Sequence, residues 1–258
     1  MRYDTILYDL DAGIATITLN RPEKMNALTP QMRAELTDAL KRAAGEARVI
    51  VLTGAGQAFC SGQDLGEGMT AAAVDLERVL RDEYAPIIRW ITEAPVPVIA
   101  AVNGPAAGAG ANIALMADIV IATRSAYFLQ AFGRIGLMPD AGGTYTLPRT
   151  VGLQRAMGAA LFAEKIEADQ ALDWGMIWEV YDDEVFEAGW RARAEALAHG
   201  PTQAYGAMKQ ALRASLDNDL DEQLNLEARL QGTCGNTRDF KEGVLAFREK
   251  RRASFEGR

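Results

Sequence analysis

The sequence predicts an α/β protein: a layered core with parallel strand pairing, followed by a helical C-terminal region. Three observations predict it. Through the first half, short runs of β-branched and apolar residues alternate with segments of helical periodicity. Two of the buried runs leave directly into glycine-rich loops, which frees backbone N–H groups from strand pairing. From about Gly152 onward the signals are helical.

The elements follow in order. Ile14 to Leu19 alternates apolar and small polar residues as a half-buried strand does, and Asn20-Arg21-Pro22-Glu23-Lys24 breaks it. Thr29-Pro30 places an N-cap before a proline at the first helical position, opening a helix with Met32, Leu36 and Leu40 on one face. Val49 to Thr53 is a short buried strand ended by Gly54-Ala55-Gly56, and a helix is expected from Val74 to Ile91. Pro97 to Val102 is a second buried strand. After Asn103-Gly104-Pro105, a small-residue segment from Ala106 to Ala111 runs into a short apolar helix ending near Ala117. Ile119 to Ala122 and Tyr127 to Leu129 are further strands. Glu184 to Ala198, Thr202 to Leu216, Leu220 to Leu230 and Arg238 to Arg251 are the expected late helices. No flexible linker divides the chain. Residues 1–200 are read as the α/β core, and 201–258 as a helical region packing on that core or on a neighbouring subunit.

Composition narrows the function. The chain has 258 residues and a net charge of −8, which disfavours nucleic acid and anionic membrane surfaces as partners. A local basic patch still leaves room for an anionic small molecule. Cys60 and Cys234 match no metal-site spacing, the apolar runs are too short to span a bilayer, and the first residues lack a signal-peptide core, so a reduced cytoplasmic enzyme is expected. His199 is the sole histidine and stands before Gly200-Pro201, where it reads as a solvated residue at a helix C-terminus. One histidine makes zinc sites and Ser-His-Asp chemistry poor candidates, so no metal is expected.

Three segments can carry chemistry. Gly54 to Leu65 leaves a buried strand as a glycine-containing loop, and Asn103 to Asn112 leaves another and opens a helix, whose first N–H groups are unpaired. The alternatives are a plain surface loop and close packing through small residues. A dinucleotide fingerprint fits poorly, because Ile113 stands at its third small position. Two strand-exit loops, each offering one N–H, are what an oxyanion hole needs; each donor is worth about 3 kcal/mol of barrier. The third segment, Gly136 to Thr144, holds Asp140 in a glycine-rich turn, where it is either an acid/base group or the cap of the next helix.

Together these segments resemble the crotonase (enoyl-CoA hydratase/isomerase) superfamily, from Asn20 to Leu28 through to the tail Ala246 to Arg251. The resemblance implies a crotonase-like superhelix of ββα units with a C-terminal helical region, assembled as homotrimers or dimers of trimers. It implies an acyl-CoA substrate, with coenzyme A arriving as part of that substrate and no other cofactor. The thioester oxygen would rest on the N–H groups of Gln63 and Ala109. Alanine replaces the usual glycine at the second position and keeps the N–H. Lys24, Met25 and Ala27, with Gln63, Asp64, Leu65 and Gly66, correspond to coenzyme A contact regions, as do Gly108 and the tail residues Phe247 and Lys250, which can act from a neighbouring subunit.

The acid/base positions depart from the hydratase pattern. The two hydratase glutamates fall on Asn112 and Phe132, and Asp140 stands where hydratases have glycine. One carboxylate facing an enolate suffices for an isomerase. Ala106 to Leu115, Gln130-Ala131-Phe132 and Asp173 to Trp178 are similar to the branch that converts ring-epoxidised phenylacetyl-CoA to its oxepin form and shifts β,γ double bonds. Asp140 is then the expected catalytic acid/base, and Phe132, Leu137 and Met138 shape a dry pocket. The rivals are an isomerase of linear enoyl-CoA, a thioester hydrolase or a hydratase with an unusual base, with Glu67 and Glu83 as unplaced carboxylates. An RNA-binding role is disfavoured by the net charge.

Overall fold

The computed structural model describes residues 3–66 and 75–258. β1 (Ile6–Asp11) and β2 (Ile14–Leu19) form an antiparallel hairpin, after which α1 (Pro30–Glu46) returns the chain to β3 (Val49–Gly54), parallel to β2. The Thr29 hydroxyl accepts from Met32 N at 3.1 Å, so the expected cap and proline start hold. The helix expected from Val74 begins outside the described residues; α2 (Leu76–Val79) passes through a π-helical turn, Leu80–Tyr84, into α3 (Ala85–Glu93).

The chain continues through β4 (Val98–Val102), β5 (Ala106–Ala107) and α4 (Ala109–Leu115), then β6 (Ile119–Thr123) and β7 (Tyr127–Leu129). A 3-10 turn over Ala131–Ile135 leads to α5 (Gly143–Val151) and α6 (Leu153–Phe162). After β8 (Lys165–Glu167), α7 (Ala168–Asp173) and β9 (Glu179–Tyr181), four helices close the chain: α8 (Phe186–Ala198), α9 (Thr202–Ala214), α10 (Leu220–Gly235) and α11 (Arg238–Glu249).

Six strands form one sheet in the order β1-β2-β3-β4-β6-β9, parallel beyond the first hairpin, and β5-β7-β8 form a second. Twice the chain sends one strand to the large sheet and the next to the small one before a helix: β4, β5, α4 and β6, β7, α5. These are the ββα units that the resemblance implies. The expected α/β core with parallel pairing and a helical C-terminal region is what the chain adopts.

The central strands read as continuous apolar runs because both faces are covered. Ile50, Leu52, Val98 and Ala100 join Met32, Leu36 and Leu40 of α1 and Ile87 and Ile91 of α3 in one core. Val49, Val51, Ile99, Ala101 and Ile121 face Phe186 and Trp190 of α8 in the other. Each large apolar side chain so enclosed contributes about 1.5–3 kcal/mol. β1 escaped the sequence pattern because it is an edge strand whose Leu7 and Leu10 are exposed. β5, β8 and β9 have two or three residues each, too few to show a period.

α9 is tied to the core by Lys209, whose buried ammonium donates to Ile91 O at 2.7 Å and Val96 O at 3.3 Å and pairs with Asp118 at 2.8 Å. His199 is the exposed C-cap of α8, its Nδ1 2.8 Å from Glu195 O, as the sequence suggested. Among the described residues no helix is long and apolar enough to cross a membrane.

Candidate active site

Three chain segments lie edge to edge beyond the ends of β3 and β4. Ser61 N donates to Met25 O at 2.9 Å, Leu28 N to Gly62 O at 2.8 Å and Asp64 N to Leu28 O at 3.1 Å. On the other side Phe59 N and Cys60 N donate to Pro105 O, and Ala107 N to Cys60 O at 2.9 Å. Successive N–H groups of extended chain point to opposite sides. With Asp64 N turned toward Leu28, the N–H of Gln63 is turned away from that segment. Among the described residues it makes no hydrogen bond.

α4 supplies the second donor. Gly108, its N-cap, has φ 54 and ψ −131, a backbone state that L side chains rarely enter, and its own N–H is taken by Leu129 O at 2.8 Å. The next N–H, of Ala109, is the first in the helix and finds no acceptor among the described residues. Gly62, at φ +95, passes so close that a Cβ there would stand 3.6 Å from Ala109 N. Gln63, next to Gly62, and Ala109 thereby lie at neighbouring positions on one cavity wall.

That place opens on a cavity of ≈1080 Å³, large enough for an acyl group and more. Gln63, Leu65, Gly108, Ala109, Phe132 and Asp140 line it, as do Leu137 and Met138. Lys24 and Met25 are exposed, and Ala27 is nearly buried, with its carbonyl accepting from Arg21 at 2.5 Å. Asp64 forms an ion pair with Arg21 at 2.8 Å and accepts from Gly66 N, so these residues border the cavity loop without lining the cavity. The Arg21 guanidinium holds the Asp64 carboxyl below the ordinary range. Phe247, in α11, is 86% exposed, and Lys250 caps that helix at positive φ; neither lines the cavity within the single chain.

Asp140 faces this space from the turn before α5. It does not cap that helix: Gly142 is the N-cap, without a side-chain bond, and the contact to Gly143 N is made by the Asp140 carbonyl at 2.8 Å. The capping alternative is therefore set aside. Its Oδ1 is enclosed and has no hydrogen-bond partner among the described residues. Loss of hydration pushes the carboxyl up to about 6. A carboxylate with that value is poised to exchange protons near neutrality.

The two positions that would hold hydratase glutamates are otherwise employed. Asn112 is fully buried in α4, and its Nδ2 donates to the backbone carbonyl of Asp140 at 2.8 Å. Phe132 packs its ring near Gly108, 3.8 Å from where a Cβ would stand. Glu83, unplaced by sequence, is paired with Arg33 at 2.6 Å and Arg78 at 3.0 Å, which hold it ionised below the ordinary range. It does not line the cavity. Glu67 lies outside the described residues.

Sequence reasoning missed Tyr84, Arg89 and Arg134, which also line the cavity. Tyr84 is buried at the end of the π-helical turn, its hydroxyl 3.5 Å from Gln63 Oε1 and its ring 5.1 Å from the Arg33 guanidinium. A π-turn shifts the helical register, a device frequent at functional sites. Nothing in the amphipathic pattern distinguishes such a tyrosine from ordinary core.

Residues 9–258 match the family model described as enoyl-CoA hydratase/isomerase. The chain is 62% identical over 258 residues to a "Probable enoyl-CoA hydratase" of Rhodobacter capsulatus, covering 100% of both chains. It is 46% identical to the 1,2-epoxyphenylacetyl-CoA isomerase of Escherichia coli, covering 98% of each. A crystal structure of enoyl-CoA hydratase from Bacillus anthracis superposes with a TM-score of 0.91 at 32% identity, covering 99% of this chain and 100% of that one.

Proposed function

The chain belongs to the enoyl-CoA hydratase/isomerase (crotonase) family, and from that premise we propose that it is an acyl-CoA isomerase with Asp140 as its acid/base. The observation that carries this is the cavity wall: among the described residues that line it, Asp140 is the lone carboxylate, desolvated and unpaired at Oδ1.

The thioester oxygen rests between the N–H groups of Gln63 and Ala109. Asp140 takes a proton from the carbon next to the thioester carbonyl, and the electron pair left behind moves into the carbonyl. The oxygen becomes an enolate, stabilised by two donors that need no reorganisation. The same carboxyl returns the proton to a different carbon, so the double bond shifts and no atom is gained or lost. Water addition asks for a second group, and Asn112 and Phe132 offer no carboxylate for it. The reaction draws on no metal or redox cofactor.

The substrate we assign is ring-epoxidised phenylacetyl-CoA, rearranged to its oxepin form. The C–C bond shared by the epoxide and the six-membered ring opens, and its electron pair enters the double bonds of the seven-membered ring. The proton moved by Asp140 from the carbon next to the thioester to a ring carbon brings a double bond into conjugation with the thioester. The 46% identity to an epoxyphenylacetyl-CoA isomerase and the wide apolar cavity support this substrate. A linear β,γ-enoyl-CoA would use the same groups. The 62% identity to a probable hydratase supports a second reading, water addition with an unusual base. We also propose assembly as trimers or dimers of trimers, which would cover exposed apolar side chains such as Phe162, Leu212 and Phe247.

Wild type and Asp140→Asn are incubated with a β,γ-enoyl-CoA and with the ring epoxide, and isomer, oxepin, hydrated product and free thiol are followed. Isomer or oxepin from wild type alone is the expected result. Equal isomerisation by both proteins overturns the role of Asp140, and hydrated product as the main outcome favours the second reading.

A further inference from the structure

Among the described residues Asp140 Oδ1 has no hydrogen-bond partner, whereas the Asp140 main chain is held by two hydrogen bonds to its carbonyl. We propose that Gln130 and Asn112 form a positioning chain that fixes the Asp140 peptide and thereby aims its carboxylate. The inference rests on the assignment of Asp140 as acid/base.

Both amides are fully buried. Gln130 Nε2 donates to Asn112 Oδ1 at 2.8 Å, and Asn112 Nδ2 donates to Asp140 O at 2.8 Å. The chain has a direction. An amide turned end for end presents oxygen to the Asp140 carbonyl and repels it. By donating to Oδ1, Gln130 holds Asn112 in the one orientation that offers N–H to Asp140.

The carbonyl so gripped also accepts from Gly143 N at 2.8 Å, which fixes the peptide plane from two sides. The next residue, Ala141, sits at φ 46, a strained state for a side chain and one that persists only where the surroundings over-determine it. Gly143 is what lets Asn112 reach in: a Cβ there would stand 2.3 Å from Nδ2.

Gln130 carries a cost that packing alone does not explain. Its Oε1 is buried and has no partner among the described residues, which is unfavourable for the fold. An apolar residue of the same length would avoid that cost. The glutamine therefore serves through its donor end, and that end points at Asn112.

Gln130→Met, Asn112→Ala, their double variant and Asp140→Asn are compared as full chains on a β,γ-enoyl-CoA, with kcat, KM, pH–rate profile and melting temperature measured. Gln130→Met and Asn112→Ala are expected to lower kcat about 10- to 100-fold, as a small misplacement of a reacting group does, with KM within about threefold. The acid limb of kcat moves to lower pH as the freed carboxylate meets water. Because the residues act in series, the double variant is no slower than Asn112→Ala. Gln130→Met melts within a few degrees of wild type, which separates the kinetic loss from unfolding.

Wild-type kcat and pH profile in Gln130→Met, or fully additive losses in the double variant, overturn the positioning chain while an inactive Asp140→Asn leaves the base in place. Wild-type isomerisation by Asp140→Asn overturns the base itself, and the positioning chain with it.

Discussion

The backbone of Gly62 lies against that of Ala109: a Cβ on Gly62 would stand 3.6 Å from the Ala109 nitrogen and 3.0 Å from the Ala107 oxygen. Two loops more than 40 residues apart in sequence thereby meet at the cavity, and among the described residues neither the Gln63 nor the Ala109 N–H has an acceptor. The relationship depends on a residue without a side chain, at a φ that disfavours any other.

Gly62→Ala is expected to strain this contact and displace the Gln63 N–H. Isomerase kcat should fall about 10²-fold, the scale of a lost oxyanion donor, with stability lower by about 1–2 kcal/mol from the backbone strain. Steady-state kinetics and urea unfolding check the two parts. Unchanged kcat in a folded variant would show that the Gln63 N–H carries no charge in the reaction.

Asp140 makes a prediction in pH. Its folded value, about 6, lies above the ordinary aspartate value of 3.8, so folding favours the protonated form. That contribution is present below about pH 4 and is lost as pH rises through about 6. Ionised at pH 8, the partly buried carboxylate costs the fold on the order of 1–3 kcal/mol. Asp140→Asn should therefore be inactive yet more stable than wild type at pH 8, with the difference gone near pH 4. Denaturant melts at the two pH values test this, and an equal gain at both would deny the buried charge.

The same group sets the activity profile. A base has to be ionised, so kcat/KM of wild type is expected to rise with pH through an acid limb near 6. A limb near the ordinary carboxylate value would mean that Asp140 is hydrated or is not the base.

Glu83 tests the unusual-base alternative. Arg33, almost wholly buried, and Arg78 both hold it. Glu83→Gln should lower stability by about 1–3 kcal/mol, because Arg33 loses its partner, and leave kcat within about threefold once folded protein is counted. A loss of 10³-fold would return Glu83 to the chemistry.

Lys209 separates scaffold from site. Burial lowers its ammonium's pKa, which Asp118 opposes, and Arg213 also reaches Asp118 at 2.8 Å. Lys209→Met leaves that carboxylate one cation, so a loss of about 1–3 kcal/mol is expected, with kcat unaltered. Thermal unfolding and initial rates decide it.

The extent to which the site was legible follows from which interactions are local. Thr29-Pro30 starts α1 by a hydroxyl reaching three residues ahead, and the helix forms where the cap stands. The strands Val49–Gly54 and Val98–Val102 show in their apolar runs because both faces are buried. Asp140 stood out as a carboxylate in a glycine-rich turn, yet the turn alone allowed a helix cap. Tyr84 did not stand out at all, since the π-turn that places it at the cavity leaves no mark on apolar periodicity.

The sequence by itself determined the α/β core, its helical tail and two glycine-containing strand-exit loops able to offer N–H groups. These rest on period, capping and glycine, which act over a few residues. Only the tertiary structure decided that Glu83 is tied to arginines, that Asp140 Oδ1 finds no partner among the described residues, and that Asn112 grips the Asp140 carbonyl while Gln130 grips Asn112. Those bonds join segments 18 to 50 residues apart. Each depends on the direction a side chain takes once the chain has closed, which no local pattern encodes.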